Sequence, residues 1–343
     1  MKSFYLFLFY TLSVTQLLVA QPKQIDRVKF FIDQPVLKAT VVTNLNKMMY
    51  SGKEGKNPLR AYFICKLPDS TEVREKVTLE SRGHFRRENC TYPPLKIVFD
   101  KPDSTVLSSL KSLKLVSTCK ASNENGQYLI KEYLTYKLYN LLTDKSFRVR
   151  LADMNFIDSS GKKKPFKEFA FFTEDEKEMA KRNNCKDWTV GKPPTEATDR
   201  AQMTLVSIFE YMIGNTDWSV PARHNIKTIL SKADPDSKPF SVPYDFDFAG
   251  LVNTDYATPD AMFGTVSVQE RVYRGYPRTM DEITVTLDLF IKQKENFYAI
   301  INNCEYLNPN SKKGMIKFLE DFYASIKNQK EVKSIFIDNA RTQ

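Results

Sequence analysis

The sequence predicts an α+β protein in two lobes, a β-rich N-terminal lobe with one embedded helix followed by a mainly helical C-terminal lobe. Three observations carry this expectation. Between residues 28 and 116, β-branched and aromatic residues alternate or cluster in short runs separated by polar turns. From residue 203 onward, apolar residues recur largely at helical spacing. Between those later helices, a loop carrying Asp217 is followed by a short apolar strand that runs into Pro243-Tyr244-Asp245-Phe246-Asp247.

In chain order, residues 1–20 read as an export signal. Lys2 precedes a mostly apolar stretch over 4–19, and Val19-Ala20 before Gln21 supplies small residues at a cleavage point. A membrane anchor is the other reading, but the run is short for a span and no basic cluster follows it immediately. The signal predicts a secreted or periplasmic protein with no stable membrane insertion after cleavage. Strands are predicted over 36–42, 60–67, 73–80, 95–99 and 113–116, with a glycine-containing turn over 51–56 that lacks phosphate-loop spacing. A helix is predicted over 128–142, where Leu129, Tyr133, Tyr136 and Leu138 share a broad face. Strands over 147–156 and 166–172 flank Asp158-Ser159-Ser160-Gly161, a hairpin signal. The lobes are expected to meet near Phe172, giving 21–172 and 173–343. In the second half, Met203, Val206, Ile208, Phe209, Met212 and Ile213 predict a helix that runs into Gly214, and further helices are predicted over 287–301 and 315–326.

Composition excludes several classes. The only histidines are His84 and His224, so a histidine-rich metal centre is ruled out. No Gly-x-Ser-x-Gly elbow and no Walker loop occurs. The net charge of +10 is spread along the chain and interrupted by acidic clusters such as Glu174-Asp175-Glu176, a solvated surface rather than a nucleic-acid face. Arg82, Arg86 and Arg87 form the one compact basic group in a loop, able to grip phosphates or an acidic substrate, or simply to be solvated. Five cysteines in an exported chain predict disulfides, with Cys65–Cys90 the first pairing, Cys119–Cys185 a second and Cys304 left free.

The chemistry-bearing residues lie between 214 and 247. A strand over 226–230, a turn at Ala233-Asp234-Pro235-Asp236-Ser237 and a second strand over 240–242 would bring Asn225 and Asp245 side by side. A loop Asp, an Asn and a later strand Asp are what phosphoryl transfer requires, the first to orient or deprotonate an acceptor hydroxyl and the others to hold Mg²⁺ against phosphates. Asp245 and Asp247 flank Phe246 by strand alternation, so both face one side, where two like charges favour an intervening cation. Taken singly, Asp217 is also good turn chemistry after a helix, and Asp245 and Asp247 could be surface acids of a strand.

The order Arg82-Gly83, Lys96 on a strand, Glu132 on a helix, Asn215-Thr216-Asp217, Asn225 and Asp245-Phe246-Asp247 resembles the atypical kinases related to the spore-coat kinase CotH. The string Gly214-Asn215-Thr216-Asp217 with a later His-Asn and Tyr-Asp is also similar to the HipA-type kinases. Strings like Arg86-Arg87-Glu88-Asn89-Cys90 and Val242-Pro243-Tyr244-Asp245-Phe246-Asp247 resemble an exported bacterial branch. The resemblance spans roughly 80–251 and implies a two-lobed, kinase-like fold that uses ATP with Mg²⁺ or Mn²⁺ on an unknown protein or envelope acceptor. It makes Asp217 the catalytic residue, Asn225, Asp245 and Asp247 metal ligands, and Lys96 a phosphate contact paired with Glu132; Arg82 and Arg86 join the nucleotide side, and Lys114 is the substitute for Lys96. Eight positions separate Asp217 from Asn225, more than in typical kinase loops, so the loop must bulge or another residue must serve as ligand. Two alternatives use the same plan, a catalytically idle binding module and a transferase of AMP. His224 is expected to shape the loop, and Arg271, Arg274 and Arg278 to line the mouth of the cleft.

Overall fold

Alternation of apolar and polar residues makes the strands of the first half, and closure is how they bury their apolar side. The computed structural model describes residues 30–31, 35–50, 58–67, 70–83, 86, 89–91, 93–100, 107, 110–120, 122–189 and 191–341. The expected export signal, the turn over 51–56, and residues His84 and Arg87 lie outside the described residues. Seven strands, β1 (Leu37–Thr43), β2 (Leu59–Lys66), β3 (Glu72–Ser81), β4 (Leu95–Phe99), β5 (Ser112–Ser117), β6 (Val149–Asp158) and β7 (Phe166–Thr173), close into a barrel in the order β1-β2-β3-β4-β5-β7-β6. Neighbours are antiparallel except β1 and β6, which close the barrel in parallel from Leu37↔Ala152 to Thr43↔Asp158. Closure leaves no unpaired edge. Inside sit Val41, Phe63, Val77, Ile97, Leu115, Phe156 and Phe172, with Phe63 meeting Phe99 and Phe172 edge-on at 6.3 and 6.1 Å.

This barrel corrects the two-lobed, kinase-like fold expected from the sequence. The strands were visible, but β6 and β7, expected at the end of a lobe, are staves that complete a closed sheet. The parallel β1–β6 contact joins residues more than a hundred positions apart, which local periodicity does not encode.

A second core is built on the barrel's outer wall. β7 serves both cores by simple alternation: Phe172 points inward, while Phe171 points out to Tyr133 and Tyr136 at 6.2 and 5.7 Å. Those tyrosines belong to α2 (Asn123–Asn140), which follows the short α1 (Leu45–Tyr50) and starts at Ser122, whose hydroxyl accepts from Asn125 N at 3.1 Å. Next comes α3 (Glu176–Arg182), then α4 (Arg200–Ile213), almost wholly buried, with Asp199 as N-cap and Gly214 closing it at φ 66°. A Cβ on Gly214 would also lie 3.0 Å from the Phe318 ring, so glycine suits the position in both conformation and space. Against α4 stand a three-stranded sheet of β8 (Cys185–Asp187), β9 (Ile226–Ser231) and β10 (Phe240–Pro243), in the order β10-β9-β8, and the helices α5 (Met280–Asn302) and α6 (Pro309–Ser325), followed by the short α7 (Gln329–Lys333). Among the described residues no helix is long and apolar enough to cross a membrane.

The cysteine pairing also differs from expectation. Cys90 bonds Cys119, with Cα atoms 4.6 Å apart, while Cys65, Cys185 and Cys304 are free. Cys65 is sealed inside the barrel as an apolar side chain of β2, whereas the loop after β3 runs alongside the end of β5, where Thr91 N donates to Cys119 O at 2.8 Å.

Candidate functional site

Most of the sequence-predicted residues converge where the barrel's outer wall meets the second core. The β9–β10 hairpin pairs Ile226 with Pro243 and is extended by Tyr244 N donating to Asn225 O at 3.0 Å, which places Asn225 beside the start of Asp245-Phe246-Asp247. The extra loop length between Asp217 and Asn225 forms a small hairpin of its own. Ser219 and His224 exchange both backbone hydrogen bonds at 2.9 Å, and Arg223 N closes the turn onto Val220 O. Asn225 thereby returns to Asp217, and its amide donates to Asp217 Oδ2 at 2.9 Å and to Asp217 O at 2.8 Å.

Asp217 is held from three sides. Its backbone N–H donates to Asn215 Oδ1 at 3.0 Å, its Oδ1 is 2.7 Å from His224 Nε2, and its Oδ2 takes the Asn225 amide. Asn215 is in turn buried and donates to Glu210 Oε2 at 2.9 Å. Arg274 fixes the same loop by donating to Trp218 O at 2.6 Å and to Thr216 O, with its guanidinium over the Trp218 ring. Asn225 and Asp245 both adopt left-handed backbone conformations, φ 52° and 65°. Such conformations in non-glycine residues cost free energy and gather where side chains must be aimed. Asp245 is steadied by its backbone N–H donating to the Tyr136 hydroxyl at 2.7 Å.

Charges complete the cluster. Arg82 follows β3 directly, and its N–H bonds Pro94 O at 2.9 Å; Arg86 is buried and donates to Ser117 O. Burial raises the Asp245 carboxyl, against the opposing charges of Arg86 and Arg82. Burial likewise pushes Asp247 up to about 7, reinforced by Asp245 and opposed by Arg86 and by the Tyr256 hydroxyl, which donates to Asp247 Oδ2 at 2.9 Å. Glu132, on α2, is fully buried with Oε1 lacking any partner, and burial together with Asp247 holds it well above the carboxylate range. For Arg86, burial acts against the charge, yet Tyr256, Asp247, Glu132 and Asp245 outweigh it and raise its pKa.

Lys96 is not part of this group. It pairs with Glu80, its cross-strand neighbour, at 3.4 Å on the barrel exterior, and the cations whose charges act on Glu132 are Arg86 and Arg82. The expected Lys96–Glu132 pair is thus replaced by an arginine–glutamate arrangement. Lys114, opposite Lys96 on β5, is nearer to the site, its charge opposed first by burial and then by Arg82. Arg278 is a buried structural residue, bonding Glu196 at 2.7 Å and Thr204 at 2.8 Å, and does not line a cleft. Tyr136, Glu210 and Tyr256 were not singled out from sequence; nothing in their spacing separates them from ordinary core residues.

The electrostatics predict a pH response. Burial pushes Asp247 and Glu168 up to about 7 and Glu210 up to about 8. These carboxyls keep protons in the folded protein that the unfolded chain releases near pH 4, so stability falls as pH rises from about 4 to about 8. Glu282, held down to about 2 by Arg200, titrates below that window. The melting temperature of the metal-free protein is expected to be higher at about pH 5 than at about pH 8. A melting temperature that rises across this interval would show these carboxyls to be charged in the native state.

Among the described residues, no group of three or more His, Cys, Asp or Glu side chains could hold a metal by itself. Mg²⁺ usually takes only one or two carboxylates, completing its shell with water and substrate phosphates. Asp245, Asp247 and the Asn225 amide are a hard-oxygen set of that kind, and the unpartnered Glu132 Oε1 lies in the same charge cluster, so the residues fit such an ion. Comparison with protein-family models and with curated proteins gives no match to this chain.

Proposed function

We propose that this protein is a metal-dependent phosphotransferase that takes its phosphoryl group from a nucleotide, ATP with Mg²⁺ or Mn²⁺. The observation that carries the reading is the convergence of Asp217, Asn225, Asp245, Asp247, Glu132, Arg82 and Arg86 in one partly buried cluster. Phosphoryl transfer needs positioning and charge neutralisation more than covalent help, and this set supplies both. Asp217 faces the acceptor hydroxyl and takes its proton. The hydroxyl oxygen bonds to the γ-phosphorus, and the bond from that phosphorus to the β–γ bridging oxygen breaks, leaving ADP with the electron pair. Arg82 and Arg86 meet the phosphate oxygens, and Lys114 takes the part expected of Lys96. Asp245, Asp247 and Asn225 would hold the metal ion, which when bound neutralises phosphate charge.

A second reading rests on Arg86. Its guanidinium already balances the negative charge of Asp245 and Asp247, as it would in an idle site that binds a partner without turnover. Calorimetry of ATP binding with and without Mg²⁺, combined with intact-mass analysis, separates the two. The proposal expects ATP to bind only with the divalent ion, Asp245→Asn to abolish that binding, and affinity to fall below about pH 7 as Asp247 takes a proton. No metal-dependent nucleotide binding would leave the idle module. A gain in mass the size of AMP would assign attack at the α-phosphorus, with pyrophosphate leaving.

A further inference from the structure

A pocket of ≈ 460 Å³ opens between the first turn of α2 and the neighbouring parts of β6 and β7, and none of the residues proposed for phosphoryl transfer lines it. Its volume is that of a small-molecule site. The walls are held in place. Gln127 on α2 donates to Tyr306 O at 3.2 Å and accepts from Asn308 N at 2.8 Å, which fastens the start of the helix to the connection between α5 and α6. Phe169 on β7 meets the Tyr306 ring at 4.9 Å, and Phe166 stacks on Phe156 at 4.9 Å. Both phenylalanines line the pocket and give it an apolar side.

The polar side is acidic. Glu168 on β7 lines the pocket; its Oε2 accepts from the Thr118 hydroxyl, while its Oε1 is buried and meets no donor among the described residues. A buried acceptor in that state costs free energy that a bound donor would recover. Burial pushes the Glu168 carboxyl up to about 7, against the Thr118 bond and the charge of Arg86, and a cation brought beside it would favour its charged form. Asp153, opposite Phe169 in the β6–β7 register, is a second lining carboxylate, and among the described residues no hydrogen bond or ion pair engages it.

For an anion the pocket offers little. Lys167 is the one cation among its described lining residues and is exposed, free to turn to solvent. The start of α2 is already satisfied: Ser122 Oγ takes Asn125 N and Ser122 O takes Gly126 N, both at 3.1 Å, and Glu124 stands in the first turn. Two carboxylates are also too few for Ca²⁺, and among the described residues no third acid, His or Cys joins them to hold a metal ion.

We infer that this pocket binds a small organic cation, an ammonium or guanidinium group on an apolar arm: the cation sits between Asp153 and Glu168 and donates to Glu168 Oε1, and the arm packs on Phe166 and Phe169. A cation held beside aromatic rings gains further from their negative faces. Such a site stands whether or not the protein transfers phosphate.

The test is calorimetry on the full chain with 2-phenylethylamine and benzylguanidine, set against 2-phenylethanol as a neutral and 3-phenylpropionate as an anionic counterpart of similar size. At least one of the two cations is expected to bind with a dissociation constant below about 1 mM, about tenfold or more tighter than the alcohol, and the propionate not to bind. Asp153→Asn should weaken the cation about tenfold, whereas Lys167→Gln, which removes a repelling charge, should strengthen it about twofold. Glu168→Gln leaves an oxygen for the Thr118 hydroxyl but no negative charge, and should weaken binding as Asp153→Asn does. Melting curves of the three variants show that each is folded. No binding of either cation, equal affinity for cation and alcohol, an affinity that neither Asp153→Asn nor Glu168→Gln lowers, or a preference for the propionate would each overturn the assignment.

Discussion

Asp217→Asn is expected to lower phosphoryl transfer by about 10²–10⁴-fold, the usual contribution of a positioned general base, while metal-dependent nucleotide binding persists. The replacement is conservative in shape. The new amide oxygen can still accept from Asn225, and the amide N–H can donate to His224 once that ring presents its unprotonated Nε2, so the 2.7 and 2.9 Å contacts survive with roles exchanged. What is lost is the capacity to receive a proton. Asp245→Asn should differ in kind, since it removes nucleotide binding itself. Single-turnover transfer measured beside calorimetric binding distinguishes the two. Full transfer by Asp217→Asn would show that proton removal happens elsewhere, and His224, already at 2.7 Å from the carboxylate, would be the next residue to vary.

Removing the disulfide, by Cys90→Ser with Cys119→Ser, is expected to destabilise the protein by about 3–4 kcal/mol through the unfolded chain alone, since the bond closes a separation of 29 residues. The consequence for the site is separate. The bond ties the loop after β3 to the segment after β5, and Arg86 lies one turn before Cys90, just outside the closed loop, donating to Ser117 O and accepting from Cys90 N at 2.9 Å. Freed from that tether, Arg86 can leave the cluster, which exposes Asp245 and Asp247 to mutual repulsion and weakens the grip on phosphates. Denaturant unfolding should report the lost stability and calorimetry a weaker affinity for the nucleotide. Lost stability with unchanged affinity would mean that the Ser117 contact alone positions Arg86.

These two expectations rest on features with different visibility in the chain. Asp217 was legible because what first places it is local: α4 follows from apolar residues at helical spacing, Gly214 ends it in a conformation suited to glycine, and the turn chemistry of Asn215 and Asp217 lies within three residues, whereas the tie from Arg274 comes from far along the chain. The β9–β10 hairpin is local too, and its register follows from strand alternation and a turn rich in Asp and Pro, which is why Asn225 and Asp245 could be placed together. The small hairpin at Ser219 and His224 was readable only as a need for a bulge, because no residue in it carries a distinctive signal.

What tertiary structure decided is long-range and set by competition between partners. Alternating strands were evident, but whether they formed an open lobe or a closed barrel depended on β1 finding β6, a pairing settled by burial of both apolar faces. Lys96 was one of several lysines on strands, and Glu80 directly opposite it was a nearer partner than Glu132. Arg86 reaches the acids because its loop is bonded to Cys119, a connection that spacing alone could not choose over Cys65, which the barrel interior claims. The sequence by itself determined most of the strands, the main helices and the segment that carries the acids, since these depend on neighbours a few residues away; the short elements Leu45–Tyr50, Glu176–Arg182 and Cys185–Asp187 carried no such signal. Only the folded chain decided which cations stand beside those acids, because that choice belongs to groups scattered from Arg82 to Tyr256 and brought together by burial.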